Sequence, residues 1–142
     1  MGNFLKVPYS VDNLKDIRSF VSKRLQELSI PEIEINMMVL AIDEVCANMI
    51  IHSKNMNQGE QLEVSVKQEQ DGVTFEIKDH GEPFDPNSYQ VPDIDEIIRT
   101  KRKGGLGLML VKRIMDQIEF KRENDYTILR LFKKVTLAKY SA

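Results

Sequence analysis

Glu44 and Asn48 stand four residues apart in a stretch that is otherwise rich in apolar side chains. At that spacing two side chains share one face of a helix. An asparagine oxygen placed there can ligate Mg²⁺, a hard cation that takes oxygen ligands. A neighbouring glutamate can accept a proton from a hydroxyl or a water close to that metal. Alanines at 41 and 47 keep the nearby bulk low. Taken alone, the spacing fits a solvated helix face better than a site, so further pieces must support it.

Two such pieces follow in order. Asp79-His80-Gly81 places a carboxylate and then a glycine where a strand ends. A carboxylate can accept a hydrogen bond from the exocyclic amine of adenine, and Gly81 would let the base approach the backbone. The competing reading is a turn aspartate that caps local amides. Lys103-Gly104-Gly105-Leu106-Gly107 then precedes a third long helix. Glycines there expose backbone N–H groups, and a helix N-terminus favours negative charge, so a triphosphate is a natural ligand. No G-K-[S/T] follows, so this is not a P-loop, nor is it G-x-G-x-x-G. Lys101, Arg102 and Lys103 either add charge beside the terminal phosphate or form a solvated basic run.

His52, one turn past Asn48, suits the dipole at a helix C-terminus better than a metal shell. Thr127 shares parity with Leu129 and Leu131, so its hydroxyl points inward and can support Asp79 and the base. An ordinary strand threonine is the other reading. Cys46 reads as a packed core thiol, and the seven methionines read as core filler.

The elements that must position these groups are legible from periodicity. Phe4 to Pro8 reads as a strand, and Ser10 or Asp12 can cap the helix after it. Leu14, Ile17, Val21, Leu25 and Leu28 form that helix's apolar stripe. Pro31 suits the first turn of a second helix running to about His52, apolar around most of its circumference and so expected to be deeply buried. Asn55 to Gly59 is a polar turn cluster. Leu62, Val64 and Val66 alternate as in a half-buried strand, and Asp71-Gly72 signals a tight hairpin. Val73, Phe75 and Ile77 return on one face, with Asp79 in phase. Residues 81–104, interrupted by Gly81, Pro83, Pro86 and Pro92 and holding a short helical stretch (Asp93 to Thr100), read as a functional lid. Leu108, Val111, Ile114 and Met115 form the third helix after Gly107. Strands around Ile118 to Arg122 and Tyr126 to Lys133 follow, joined at Glu123-Asn124-Asp125. The sum is an α+β fold, a two-layer α/β sandwich with helices on one face of a mostly antiparallel sheet.

Composition narrows the class. The chain has 142 residues, 42% hydrophobic and 30% charged, which suits one globular domain over 1–142. A net charge of −2 gives no general reason to expect nucleic acid. A single cysteine rules out an internal disulfide framework and suggests a reducing, cytoplasmic setting. No apolar run approaches the roughly 20 residues of a membrane span. MGNFLKVPYS has no signal-peptide core, and Lys6 weakens a myristoylation reading.

With three ordered motifs in hand, the chain resembles the GHKL (Bergerat-fold) ATP-binding superfamily, and within it the anti-sigma-factor serine/threonine kinases. The stretch from Ala41 to His52 looks like the family's N-box. Asp79-His80-Gly81 looks like its adenine motif, and Gly105-Leu106-Gly107 like its second glycine motif. The resemblance implies ATP and Mg²⁺ as ligands, Asn48 as the Mg²⁺ ligand and Glu44 as general base. It implies Asp79 as the adenine contact and Thr127 beside the base. Gly81, Gly104, Gly105, Leu106 and Gly107 would shape the pocket. The family's basic residue at the terminal phosphate falls at Lys103 or Arg102. The implied activity is phosphorylation of a serine or threonine on a small antagonist protein, with sequestration of a sigma factor as a second role. A non-catalytic nucleotide-sensing module on the same fold is the alternative. Homodimers are common among such proteins.

Overall fold

The computed structural model describes residues 4–51, 60–80, 105–123 and 126–135, and over 105–108 the backbone alone. Strand β1 (Phe4–Pro8) leads through a short 3₁₀ turn (Val11–Asn13) into helix α1 (Leu14–Glu27) and then α2 (Glu32–Ile51). Strands β2 (Gln61–Glu69) and β3 (Gly72–Asp79) follow, then α3 (Gly105–Ile114), β4 (Gln117–Arg122) and β5 (Thr127–Lys134). The five strands form one sheet in the order β1-β2-β3-β5-β4, and every neighbouring pair is antiparallel. The α+β sandwich expected from periodicity is the architecture observed.

Alternation decides which sheet face is buried. Val7, Leu62, Val64, Val66, Val73, Phe75, Ile77, Leu129 and Leu131 point to the helices and form the core with Ile17, Val21 and Leu25 of α1. Register locks this arrangement, because Val66, Phe75 and Leu131 stand side by side across three strands. A slip of one residue would turn every one of these side chains to solvent. The opposite face mixes charged residues with Phe4, Ile128 and Phe132, and Arg130 on it is bound to Glu76 (2.8 Å) and lies within 3.8 Å of Glu119.

The helix boundaries have local causes. Ser10 Oγ accepts from the Asp12 N–H at 3.2 Å, so Ser10 caps the 3₁₀ turn rather than α1 itself. The cap of α1 is Asn13, whose side chain makes no capping bond and donates instead to the Pro8 carbonyl. At the far end, Ser29 N–H donates to Gln26 O (3.0 Å) and Ile30 N–H to Leu25 O (3.3 Å). That pair is a Schellman motif, with Ser29 in the left-handed position at φ 62°. Pro31 lies just before α2, and its carbonyl accepts from Ile35 N–H. Glu32 and Glu34 in the first turn favour the helix dipole.

Three expectations change. Helix α2 is buried on one face only: Ile33, Met37, Leu40 and Ile51 are exposed. Apolar composition does not itself bury a helix side, and here only one face meets the sheet. The β2–β3 hairpin turns at Gln70 and Asp71, with Glu69 paired to Gly72. Gly72 is therefore the first residue of β3, and it is glycine because a Cβ there would run into the Lys133 carbonyl of β5. Helix α3 starts at Gly105, so Gly105-Leu106-Gly107 form its first turn instead of a loop ahead of it.

Candidate functional site

Helix α2 presents different flanks to different neighbours. Asp43 accepts from Arg18 of α1 at 3.0 Å. At 100° per residue, Glu44 and Asn48 fall on the other flank, away from that contact. Both are half-buried beside the buried row Ala41, Val45 and Met49. Among the described residues, Nδ2 of Asn48 is one of two buried side-chain polar atoms without a hydrogen-bond partner. Leaving such a group unpaired costs about 1–3 kcal/mol. A half-turn of the amide exchanges its nitrogen and oxygen, so the position can present a donor or an acceptor.

Asp79 ends β3, half-buried on the helix side of the sheet. Thr127 begins β5 directly opposite it and is buried. The inward hydroxyl expected for Thr127 accepts from the Arg122 guanidinium at 3.3 Å. Arg122, last residue of β4, is paired with Thr127 in the neighbouring ladder. Glu44, Asn48, Asp79 and Thr127 thus lie on the helical side of the sheet, and the Asp79 charge reaches α2. Burial first, then the charges of Asp43 and Asp79, push the Cys46 thiol well above its ordinary value. It is an inert core thiol, as expected.

Tyr9 is the residue that sequence reasoning missed. Its hydroxyl donates to Asp79 Oδ1 at 2.6 Å and accepts from the His80 backbone N–H at 2.8 Å. Strands β1 and β3 run parallel to each other with β2 between, so Tyr9, just past the end of β1, arrives at the same sheet end as Asp79. Burial, then the hydrogen bond to Asp79 and its charge, raise the phenol above its ordinary value. The only signal in the sequence was an aromatic residue with a polar tip directly after a strand. His80 is flanked by the Tyr126 ring (centroids 5.4 Å apart) and lies 4.0 Å from Glu60.

Gly81, Lys103 and Gly104, together with His52, Lys101 and Arg102, lie outside the described residues, as do the lid and the Leu106 side chain. Among the described residues no group of three or more His, Cys, Asp or Glu converges as a metal cage. Two shallow hollows of about 420 and 390 Å³ lie on the opposite sheet face, around Glu119 and Arg130, and include none of the site residues. They are open and lined in part by charged side chains. No described helix is long and apolar enough to cross a membrane.

An open antiparallel sheet with three helices on one face, and a carboxylate at a strand end on that side, is the architecture of the GHKL ATPases. The model of the histidine kinase-like ATPase domain matches residues 7–133, and the chain belongs to that family. It is homologous to the anti-sigma-factor kinases. The serine-protein kinase RsbW of Bacillus cereus is 26% identical over 129 residues, covering 88% of this chain and 80% of the relative. RsbW of Staphylococcus aureus is 27% identical, covering 87% and 81%. Among solved structures, the Acinetobacter baumannii histidine kinase AdeS matches with a TM-score of 0.50 at 15% identity, over 93% of this chain and 67% of that one. That last likeness concerns the fold alone.

Proposed function

We propose that this chain is an ATP-dependent protein serine/threonine kinase of the anti-sigma-factor type, acting on a small antagonist protein. The observation that carries the reading is the buried Asn48 Nδ2, which has no hydrogen-bond partner among the described residues, one turn from Glu44 on the flank of α2 turned away from α1. An orphaned polar group on an apolar helix is a cost that a bound ligand would offset.

In this reading Asp79 accepts from the adenine amine, with Thr127 beside it and Gly81 giving the base room. The N-terminus of α3, at Gly105 and Gly107 with Gly104 and Leu106, faces the phosphates through backbone N–H groups. Lys103 or Arg102 approaches the terminal phosphate. Among the described residues the amide oxygen of Asn48 would be the metal ligand, which suits an ion that would take its other ligands from phosphate and water. Mg²⁺ held there would offset phosphate charge. Glu44 accepts the proton of the serine or threonine hydroxyl. The hydroxyl oxygen then bonds to the γ-phosphorus as the bond to the β-phosphate oxygen breaks, leaving phosphoprotein and ADP.

The proposal takes 1–142 as one ATP-binding unit, cytoplasmic, with an antagonist protein as substrate and a sigma factor as second partner. It extends to a homodimer, and neither nucleic acid nor membrane is a direct partner. The exposed apolar row Ile33, Met37, Leu40 and Ile51 supports binding to protein. It equally suits the second reading, a nucleotide-sensing module without catalysis. Phosphate transfer to the antagonist, followed by mass spectrometry, separates the two. Glu44→Gln should lower the rate about 10²–10⁴-fold while still binding ATP. Transfer at the wild-type rate in that variant would remove Glu44 as base. No transfer by the wild-type protein would favour the sensing module.

A further inference from the structure

Asp79 must hold one orientation if it is to read a base, because a carboxylate that swings about its χ2 bond meets the amine in only part of its range. One restraint comes from 70 residues away, in the Tyr9 hydroxyl bonded to Oδ1 at 2.6 Å. That length is typical of a charge-assisted O–H···O⁻ bond, about twice as strong as a neutral one.

The direction of the bond is settled by its other end. The His80 N–H donates to the phenol oxygen at 2.8 Å. A phenol has one hydrogen, and with its oxygen receiving the amide, that hydrogen goes to Asp79. The raised phenol, desolvated and facing Asp79, stays protonated at neutral pH and keeps its role as donor. The result is a relay from the His80 amide through Tyr9 to Asp79. It ties the carboxylate to the backbone of the next residue.

We propose that Tyr9 is a positioning residue for base recognition: it pins Oδ1 of Asp79 so that the carboxylate is aimed at the amine of an adenine nucleotide. This rests on the reading of Asp79 as the adenine contact. Tyr9 is bonded to Asp79 and to the His80 backbone, at the proposed base contact, so its role is in affinity and base discrimination, not in the chemical step.

The test compares binding of Mg-ATP with that of purine riboside triphosphate, which lacks the exocyclic amine, by isothermal titration on the full chain. Wild type, Tyr9→Phe and Asp79→Asn are measured after thermal unfolding has confirmed that each is folded. Tyr9→Phe should weaken ATP binding about 5-fold, with little effect on the analogue, so the ATP preference falls by the same factor. On the Asp79→Asn background, Tyr9→Phe should change nothing further. A purely structural tyrosine would shift both ligands in parallel and leave the preference intact, which overturns the proposal. If Asp79→Asn keeps the full preference, the adenine reading falls, and this inference with it. Asp79→Asn abolishing the preference while Tyr9→Phe retains it sinks the Tyr9 role alone. Should Tyr9→Phe fail to fold, proton NMR of the wild type decides. The Tyr9 hydroxyl proton should move on adding ATP and stay in place with the analogue, and equal movement with both overturns the role.

Discussion

Asp79 and Thr127 face each other across the β3–β5 ladder, 48 positions apart in sequence, and both lie on the helix side of the sheet. Thr127 also holds the Arg122 guanidinium at 3.3 Å, so a hydroxyl joins the last residue of β4 to the neighbourhood of the strand-end carboxylate. Thr127→Val keeps shape but removes that acceptor, in a residue that is buried. We expect stability to fall by about 1 kcal/mol and ATP binding to weaken several-fold. Denaturant unfolding and titration with Mg-ATP measure the two effects separately. Unchanged ATP affinity would leave Thr127 an ordinary strand residue.

Ser29 ends α1 in a conformation that L-residues with a Cβ avoid, at φ 62°. The left-handed position costs roughly 1–2 kcal/mol for such a residue, and glycine adopts it freely at an entropic cost of its own. Ser29→Gly should therefore stabilise the fold by roughly 0.5–1 kcal/mol, read as a raised midpoint in urea. A lowered midpoint would mean that the Ser29 side chain contributes more than the strain removes.

Gly72 opens β3 against the Lys133 carbonyl and the Phe132 ring. Its neighbour is backbone, which cannot move aside as a flexible side chain can. Gly72→Ala should cost about 1–3 kcal/mol and disturb the start of the β3–β5 ladder. Amide hydrogen exchange should show faster exchange near Gly72 and Lys133 than in the β2–β3 pair. Uniform protection would show that the ladder absorbs the methyl.

The Tyr9 phenol is raised in the folded chain by burial and by Asp79, against an ordinary value of 10.0. Below that value the phenol is protonated both folded and unfolded, so the stabilisation is fully present. As pH rises above it, the unfolded chain releases a proton that the folded chain retains, and stability drops. The gap in melting temperature between wild type and Tyr9→Phe should therefore hold constant below pH 10 and narrow as pH rises above it. A gap that does not narrow would show that Tyr9 ionises alike in both states.

The sequence by itself determined the layering, because period decides it. Leu62, Val64 and Val66 can bury together only in a strand, and Ile17, Val21 and Leu25 only on a helix stripe. It also exposed the order of the three motifs, since each depends on residue type at short range: Glu44 with Asn48, Asp79 with Gly81, Gly105 with Gly107. Tertiary structure decided what no local window holds. The position of Tyr9 at Asp79 follows from strand order, which brings the ends of β1 and β3 to one sheet end. Gly72 looked like a turn glycine until β5 arrived beside it. Helix α2 is apolar nearly all round, and its packing against sheet and helices on one side alone left Ile33, Met37 and Leu40 in solvent. Hydrophobic pattern specifies which surfaces can be buried; which of them are buried depends on how many neighbours the topology supplies.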